Sequence, residues 1–300
     1  MTGSEIGYLL VLPRFEYSAA KTVEDACSLL FKHGSKSKVL AGGTDVLVAM
    51  KKRHMSPQFL IGIKGIPELD YIRYDEEDGL RIGALATIGS VANSAVVKEK
   101  YGILSTACKK IGTPQVRNVA TLAGNVCMAG PSQDTPPSLI VLGAELKLVS
   151  THGERTVKID GFYTGPFQNG LGDRELLTEI RIPTLPARST GSYCFVTKAT
   201  AVCETLAGVA VFMTLDPAAE LCEEIKIALC SVVPNPRRAV RAEAVLRGKR
   251  IDDNSIERAA QITAEEAMPR SRAEYRRHMT YLLSKKAIYE VWLAVRETLV

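Results

Sequence analysis

The chain has no Cys-x-x-Cys pair. Its seven cysteines, Cys27, Cys108, Cys127, Cys194, Cys203, Cys222 and Cys230, are an odd number scattered over 300 residues. That excludes a disulfide framework, a zinc site or an iron–sulfur cluster held by this chain alone. Most of the seven are expected to behave as small buried hydrophobes. There is no apolar run near the ~20 residues of a membrane span, and no basic N-terminal stretch followed by a long apolar one. The expectation is a cytoplasmic protein with no membrane partner. Basic residues are in slight excess, a formal charge of +5. The densest basic runs, Lys51-Lys52-Arg53, Arg237-Arg238 and Arg276-Arg277, are short and lack interleaved aromatics, so nucleic acid is not expected as a partner. Repeats and low-complexity tracts are also missing. What remains is an ordinary globular composition, 46% hydrophobic and 24% charged, with length for one large domain or two to three modest ones.

Periodicity organises the chain. Thr22-Val23-Glu24-Asp25 reads as a capping box, and Val23, Ala26, Cys27 and Leu30 then recur at helical spacing. Residues 38 to 41 read as a strand, and 45 to 53 as a helix whose terminal cations suit its negative end. Strands are expected over 59–63 and 80–84, and helices over 87–97 and 102–111. Asp134, followed by Thr135-Pro136-Pro137, is a good helix start. Strands follow at 146–149, 156–159 and 177–182. Pro183 and Pro186 mark a boundary. Beyond it come three strands (193–201, 206–215, 224–232) and three helices, the last over 273–299 with Met279, Leu282, Ile288, Trp292 and Val295 near one face. Strands first and helices afterwards suggest a separate α+β domain.

Two segments are rich in small residues. "VLAGGTDVLVAMKKR", residues 39–53, places Gly42 and Gly43 between a strand and a helix. Adjacent glycines serve in a tight turn, and equally where bare N–H groups at a helix start face an anion. "TPQVRNVATLAGNVCMAGPSQDTPPSLIVLGAELKLVS", residues 113–150, repeats the chemistry through Ala123, Gly124, Asn125, Ala129 and Gly130. Asn125 has an amide to pin a loop or donate to a phosphate, and Asp134 can accept from hydroxyls. Neither segment fits G-x-G-x-x-G or the Walker pattern, which disfavours a Rossmann or P-loop site.

"AGGTDVLVAMK", "RNVATLAGNVCMAGPSQDTPPSLIVLGAEL", "VVPNPRRAVRAEAVLRGK" and "SRAEYRRHMTYLL" together resemble the FAD-binding (medium) subunit of the molybdenum hydroxylases. This is the family of xanthine dehydrogenase, carbon monoxide dehydrogenase and 4-hydroxybenzoyl-CoA reductase. The likeness runs in order along almost the whole chain. It implies an α+β protein: a two-part vanillyl-alcohol oxidase-like FAD-binding domain (residues 1–62 and 63–188), then a small C-terminal α+β domain (189–300) with a three-stranded antiparallel sheet and helices. By the same resemblance, Leu40, Ala41, Gly42, Gly43, Thr44, Asp45 and Val46 form a first FAD loop, with amides around Gly42–Thr44 on the diphosphate. Thr121, Gly124 and Asn125 belong to a second loop. Asp134 bonds the ribityl or adenosine side, Ile111 and Leu177 are apolar contacts, and Lys198 sits near the isoalloxazine.

The resemblance further implies an oxidoreductase subunit with no catalytic residue and no metal ligand of its own. Molybdopterin and [2Fe-2S] clusters would sit on a large and a small partner subunit, in a heterotrimer or a dimer of heterotrimers. FAD would pass electrons from those clusters to an acceptor such as NAD. FAD would be held non-covalently, since none of His33, His54, His152 and His278 falls in either loop. Two features depart from the family pattern: Ala123 replaces the usual first glycine of Gly-Gly-Asn, and "TKATAVCETLAGVA" lacks the charged stretch of many relatives. The opening "LPRFEYSAAKTVEDACSLL" is most similar to the 4-hydroxybenzoyl-CoA reductase subunit, whose cysteine-rich insertion is missing after Cys127. A self-sufficient flavin oxidase or reductase, and a nucleotide-binding scaffold, remain alternatives on the residues alone.

Overall fold

A computed structural model describes residues 11–199, 204–218 and 220–297. The chain opens with a small parallel sheet. β1 (Glu16–Ala19) leads through α1 (Val23–His33) to β2 (Ser37–Leu40), then α2 (Val46–Lys51) and β3 (Phe59–Gly62), in the order β1-β3-β2. Thr22 caps α1 by accepting from the Asp25 N–H at 3.1 Å. The reciprocal bond of a capping box is replaced by one from the Lys21 N–H to the Asp25 carboxylate. Ala26, Cys27 and Leu30 are the buried face of α1, as their spacing predicts.

The second part surrounds an antiparallel sheet of order β4-β5-β10-β6-β7. β4 (Ile72–Asp75) and β5 (Gly79–Gly83) precede a helical run of α3 (Ile88–Asn93), α4 (Ala95–Lys100), α5 (Gly102–Lys110), α6 (Pro114–Arg117), α7 (Leu122–Met128) and α8 (Thr135–Val141). β6 (Glu145–Ser150), β7 (Gly153–Lys158), the ribbon β8 (Tyr163–Gly165) and β9 (Gln168–Asn169), and β10 (Leu176–Ile182) complete it. The helix expected over 87–97 is broken at Ser94, whose ψ of 129° ends α3 and starts α4. Asn and Ser side chains compete for backbone groups and favour such breaks. β1, β4 and the β8–β9 ribbon were not expected from the pattern.

The C-terminal part is a sheet β11 (Ser189–Thr197), β12 (Thr205–Leu215), β13 (Cys222–Cys230) and β14 (Arg237–Arg238), with α9 (Val240–Leu246), α10 (Asp253–Glu266) and α11 (Ala273–Glu297). β14 is an addition to the three strands expected. Residues 200 and 201, placed in the first strand by the pattern, lie outside the described residues, as do Cys203 and residues 298–299. Both faces of this sheet are covered. Ala210, Phe212, Ala228 and Cys230 pack into the core shared with the preceding parts. Val209, Val211, Met213, Ile225, Ile227 and Leu229 pack against α9–α11. Burial on both faces accounts for the unbroken apolar run of β12. Leu282 is corrected: it is 41% exposed, and α11 buries Leu283, Ala287, Ile288 and Val291 instead.

The segment "NPRRAVRAEAVLRGK" owes its local structure to a buried carboxylate. Glu243 is fully buried, accepts from the Ile227 N–H at 2.9 Å, and is paired with Arg238 and Arg247. Two guanidinium partners and a backbone donor offset the desolvation of that charge and fasten α9 to β13 and β14. No helix among the described residues is long and apolar enough to cross a membrane.

Candidate cofactor site

The two small-residue segments meet. A methyl group on Gly42 would stand 2.8 Å from the Val119 carbonyl carbon and 2.9 Å from the Ala120 Cα, and closer still to the Val119 carbonyl oxygen. The backbone leading into Thr121 therefore fills the space that a side chain at Gly42 would take. Gly43 is bare for another reason. Its φ is +75°, a left-handed value, and a side chain there would touch only the tips of Leu40 and Leu47 at 3.2 Å. The first segment thus needs both glycines, one for close approach and one for conformation.

The turn between β2 and α2 exposes donors. Among the described residues the N–H groups of Gly42, Gly43, Thr44, Asp45 and Val46 have no acceptor in the chain. Asp45 is the N-cap of α2 yet makes no capping bond, and burial raises its carboxyl above the usual range. Five consecutive open amides at a strand-to-helix turn make a nest for an anion. Leu40 ends β2 beneath it, and Ala41 packs against the main core.

The second segment is tied down more fully. Thr121 forms an antiparallel bridge with Thr87, and the Leu122 N–H donates to Ala86 O. Thr121 caps α7 by accepting from the Gly124 N–H at 3.0 Å, so that amide is engaged within the chain. The Thr121 and Ala123 N–H groups have no acceptor among the described residues. Asn125 pins its loop: Nδ2 donates to Gln133 Oε1, and Oδ1 accepts from Thr135 Oγ1 at 2.6 Å.

Asp134 is more deeply engaged than its place in the sequence suggests. It occupies the N-cap of α8 with prolines in the first turn, as its sequence context predicts, but its carboxylate makes no capping bond. Instead Oδ1 accepts from Tyr193 Oη at 2.7 Å and Thr205 Oγ1 at 2.5 Å, and Oδ2 lies 4.0 Å from Lys110 Nζ. Burial raises its pKa, opposed by the Thr205 and Tyr193 hydroxyls and the Lys110 ammonium. Lys110 also lies over the Phe195 ring, 5.5 Å from its centroid. The cluster joins α5 and α8 to the C-terminal sheet. Nothing local in the sequence pairs Tyr193, Thr205 or Lys110 with Asp134, although Lys110 directly precedes Ile111.

Ile111 caps the end of α5, half-buried against the main core, and its carbonyl accepts from Arg117 Nη1 at 2.9 Å. Leu177 is 3% exposed, in β10 beside a bulge. Lys198 is exposed just past β11. Cys127, half-buried, has its thiol pushed up to about 12 by burial, so it is protonated at neutral pH. Five other cysteines are buried and unpaired. No group of three or more metal-ligating side chains stands together among the described residues.

Residues 13–185 match the family model described as the FAD binding domain in molybdopterin dehydrogenase, and residues 198–291 match that of the CO dehydrogenase flavoprotein C-terminal domain. The chain is 34% identical to the carbon monoxide dehydrogenase medium chain of Hydrogenophaga pseudoflava, over 94% of this chain and 99% of that one. It is 31% identical to the xanthine dehydrogenase FAD-binding subunit of Escherichia coli O157:H7, over 91% and 94%. A solved carbon monoxide dehydrogenase from Hydrogenophaga pseudoflava superposes with a TM-score of 0.89 at 35% identity, over 94% of this chain and 99% of that one. With two converging glycine turns, a nest of open amides and these likenesses along nearly its whole length, the chain belongs to the FAD-binding medium subunits of the molybdenum hydroxylases, a family of oxidoreductase flavoproteins.

Proposed function

We propose that this chain is the electron-transfer subunit of a heteromeric molybdenum hydroxylase, holding FAD non-covalently between the β2–α2 turn and the Thr121 turn. The observation that carries the reading is the contact of Gly42 with the Val119–Ala120 backbone beside five amides that lack an acceptor among the described residues. A row of N–H groups at a helix start fits a diphosphate, since each unpaired amide costs free energy unless an anion or water meets it. In this reading Leu40 to Val46 form the diphosphate loop, with the open Thr121 and Ala123 amides as the second contact. Gly124 and Asn125 act by holding the turn, because their polar groups are already bonded within it. Ile111 and Leu177 supply apolar wall, and Lys198 a cation at the ring. Asp134 anchors Tyr193 and Thr205 behind the flavin's hydroxyl-bearing chain.

FAD, when bound, accepts electrons singly and releases them as a pair, which couples iron–sulfur clusters to a two-electron acceptor such as NAD. The chain's own residues bind and orient it, and no side chain is needed as a general base. The functional units are residues 1–62, 63–188 and 189–300. The partners are a molybdopterin-binding large subunit and a [2Fe-2S] small subunit, in a heterotrimer or a dimer of heterotrimers in the cytoplasm. Relatives act on carbon monoxide or xanthine by name, so the substrate is chosen by the large subunit.

The test is to purify the chain with its genomic neighbours, record the visible spectrum, and titrate the complex anaerobically with NADH. Bound flavin, bleaching by NADH and co-purifying molybdenum and iron support the proposal. A flavoprotein that turns over an organic substrate without either metal would replace it with a self-sufficient oxidase or reductase.

A further inference from the structure

A cavity of about 100 Å³ lies on the seam between the Pro131–Ser132 turn and the C-terminal part, walled by Ser132, Ser231, Arg270, Ser271 and Arg276, with the exposed Glu204 also lining it. Two buried polar atoms on this wall, Ser231 Oγ and Arg276 Nε, have no hydrogen-bond partner among the described residues. Buried donors are seldom left so without a ligand or water to meet them.

The backbone holds Ser231 in place for this. Its φ is +65°, a left-handed conformation costly for a residue with a side chain. Its N–H donates to Pro131 O at 2.7 Å, and its carbonyl accepts from Arg276 Nη1 at 2.6 Å. Both flanking peptide groups are thus fixed, and the hydroxyl, 8% exposed with its residue, lies at the wall beside the Cys230 thiol with no geometric hydrogen-bond partner among the described residues. Arg276 lies in the first turn of the 25-residue helix α11, where the helix dipole is positive. Burial lowers its pKa, and the nearby Arg272 and Arg270 lower it further, against only Glu204. An anion in the cavity relieves both costs.

We propose that this cavity binds a tetrahedral oxyanion of phosphate or sulfate size, held by Arg276 Nε and the Ser231 hydroxyl. The cavity of about 100 Å³ exceeds several-fold the ~10–15 Å³ that one water needs, which leaves room for a small polyatomic ion. A guanidinium and three serine hydroxyls suit four acceptor oxygens better than the two of a carboxylate. Thr205 lines the same cavity and donates to Asp134. The bound ion therefore ties the C-terminal part to the turn that leads into α8.

The test uses the FAD-loaded protein, so that the diphosphate nest is filled, dialysed free of oxyanions and titrated calorimetrically with phosphate, sulfate and acetate. The expected result is one saturable site for phosphate and sulfate, with acetate weaker by about ten-fold or more. Both Arg276→Gln and Ser231→Gly should weaken phosphate binding by about ten-fold or more. Glycine adopts the φ of residue 231 without strain, so Ser231→Gly decides alone if Arg276→Gln fails to fold. Absence of saturable phosphate and sulfate binding, acetate binding as tightly as phosphate, or wild-type affinity in Ser231→Gly would overturn the proposal.

Discussion

The backbone of Val119 lies against the bare α-carbon of Gly42, so that even a methyl group at residue 42 would come within 2.8 Å of the Val119 carbonyl carbon. Backbone cannot rotate aside as a side-chain tip can, so Gly42→Ala must part the two turns. Gly43→Ala meets only the ends of Leu40 and Leu47, and its penalty is conformational, about 1–2 kcal/mol for a left-handed residue. We expect Gly42→Ala to lose bound FAD on gel filtration and Gly43→Ala to retain it in part, with a modestly lower thermal midpoint. Equal flavin content in the two variants would contradict the assignment of different roles to the two glycines.

Asp134 has three partners, and the effect of removing it follows from what they lose. Asp134→Ala removes the buried acceptor of the Tyr193 and Thr205 hydroxyls and the negative charge beside the Lys110 ammonium. The expected loss is about 3–5 kcal/mol, the range for breaking a buried charged network from one side. Asp134→Asn keeps an oxygen for the two hydroxyls and should lose less. Urea unfolding of both variants checks the order; a loss in Asp134→Ala below about 1 kcal/mol would mean that the network does not hold the two parts together.

The sequence carried the elements whose partners are close along the chain. The helix after Thr22 and the strands 206–215 and 224–232 are legible because cap, period and burial agree over one window. β1 is four residues long with one buried flank and pairs with β3 some forty residues later, so no local pattern marks it. The site shows the same division. Gly42 and Gly43 stand out as a pair, but only the tertiary contact tells that one glycine accommodates Val119 and the other a positive φ. Asp134 reads as a helix cap because of the Thr-Pro-Pro that follows. Its true partners, Tyr193 and Thr205, come from two strands of another sheet. Of Glu274-Tyr275-Arg276-Arg277, three side chains are exposed, and only the tertiary contact tells that Arg276 turns inward to the Ser231 carbonyl.

Stability should fall in alkali. Burial pushes the thiols of Cys127, Cys222 and Cys230 up to about 12 and that of Cys194 to about 11, from 9.0. For an acid whose folded pKa is raised, the unfolded chain loses its proton first. The folded chain then binds more protons than the unfolded one, and stability declines with pH. The contribution is complete below pH 9 and is lost between about 9 and 12. The urea midpoint should therefore hold steady from about pH 7 to 9 and decline above it, with Cys222→Ala flattening the decline. A flat profile to about pH 11 would mean that these thiols ionise within the folded chain.

Lys198 separates a role in chemistry from a role in folding. It is exposed, so Lys198→Met should alter folding stability by no more than about 0.5 kcal/mol. If it stands at the flavin ring, its charge favours the reduced, anionic form, and removing that charge should lower the flavin midpoint potential. Spectroelectrochemical titration of the FAD-loaded chain reads this directly. A lowered potential with unchanged flavin content would place the cation at the ring and leave the diphosphate grip to Gly42–Val46. An unchanged potential would remove Lys198 from the site, and a loss of flavin would make it part of the binding surface instead.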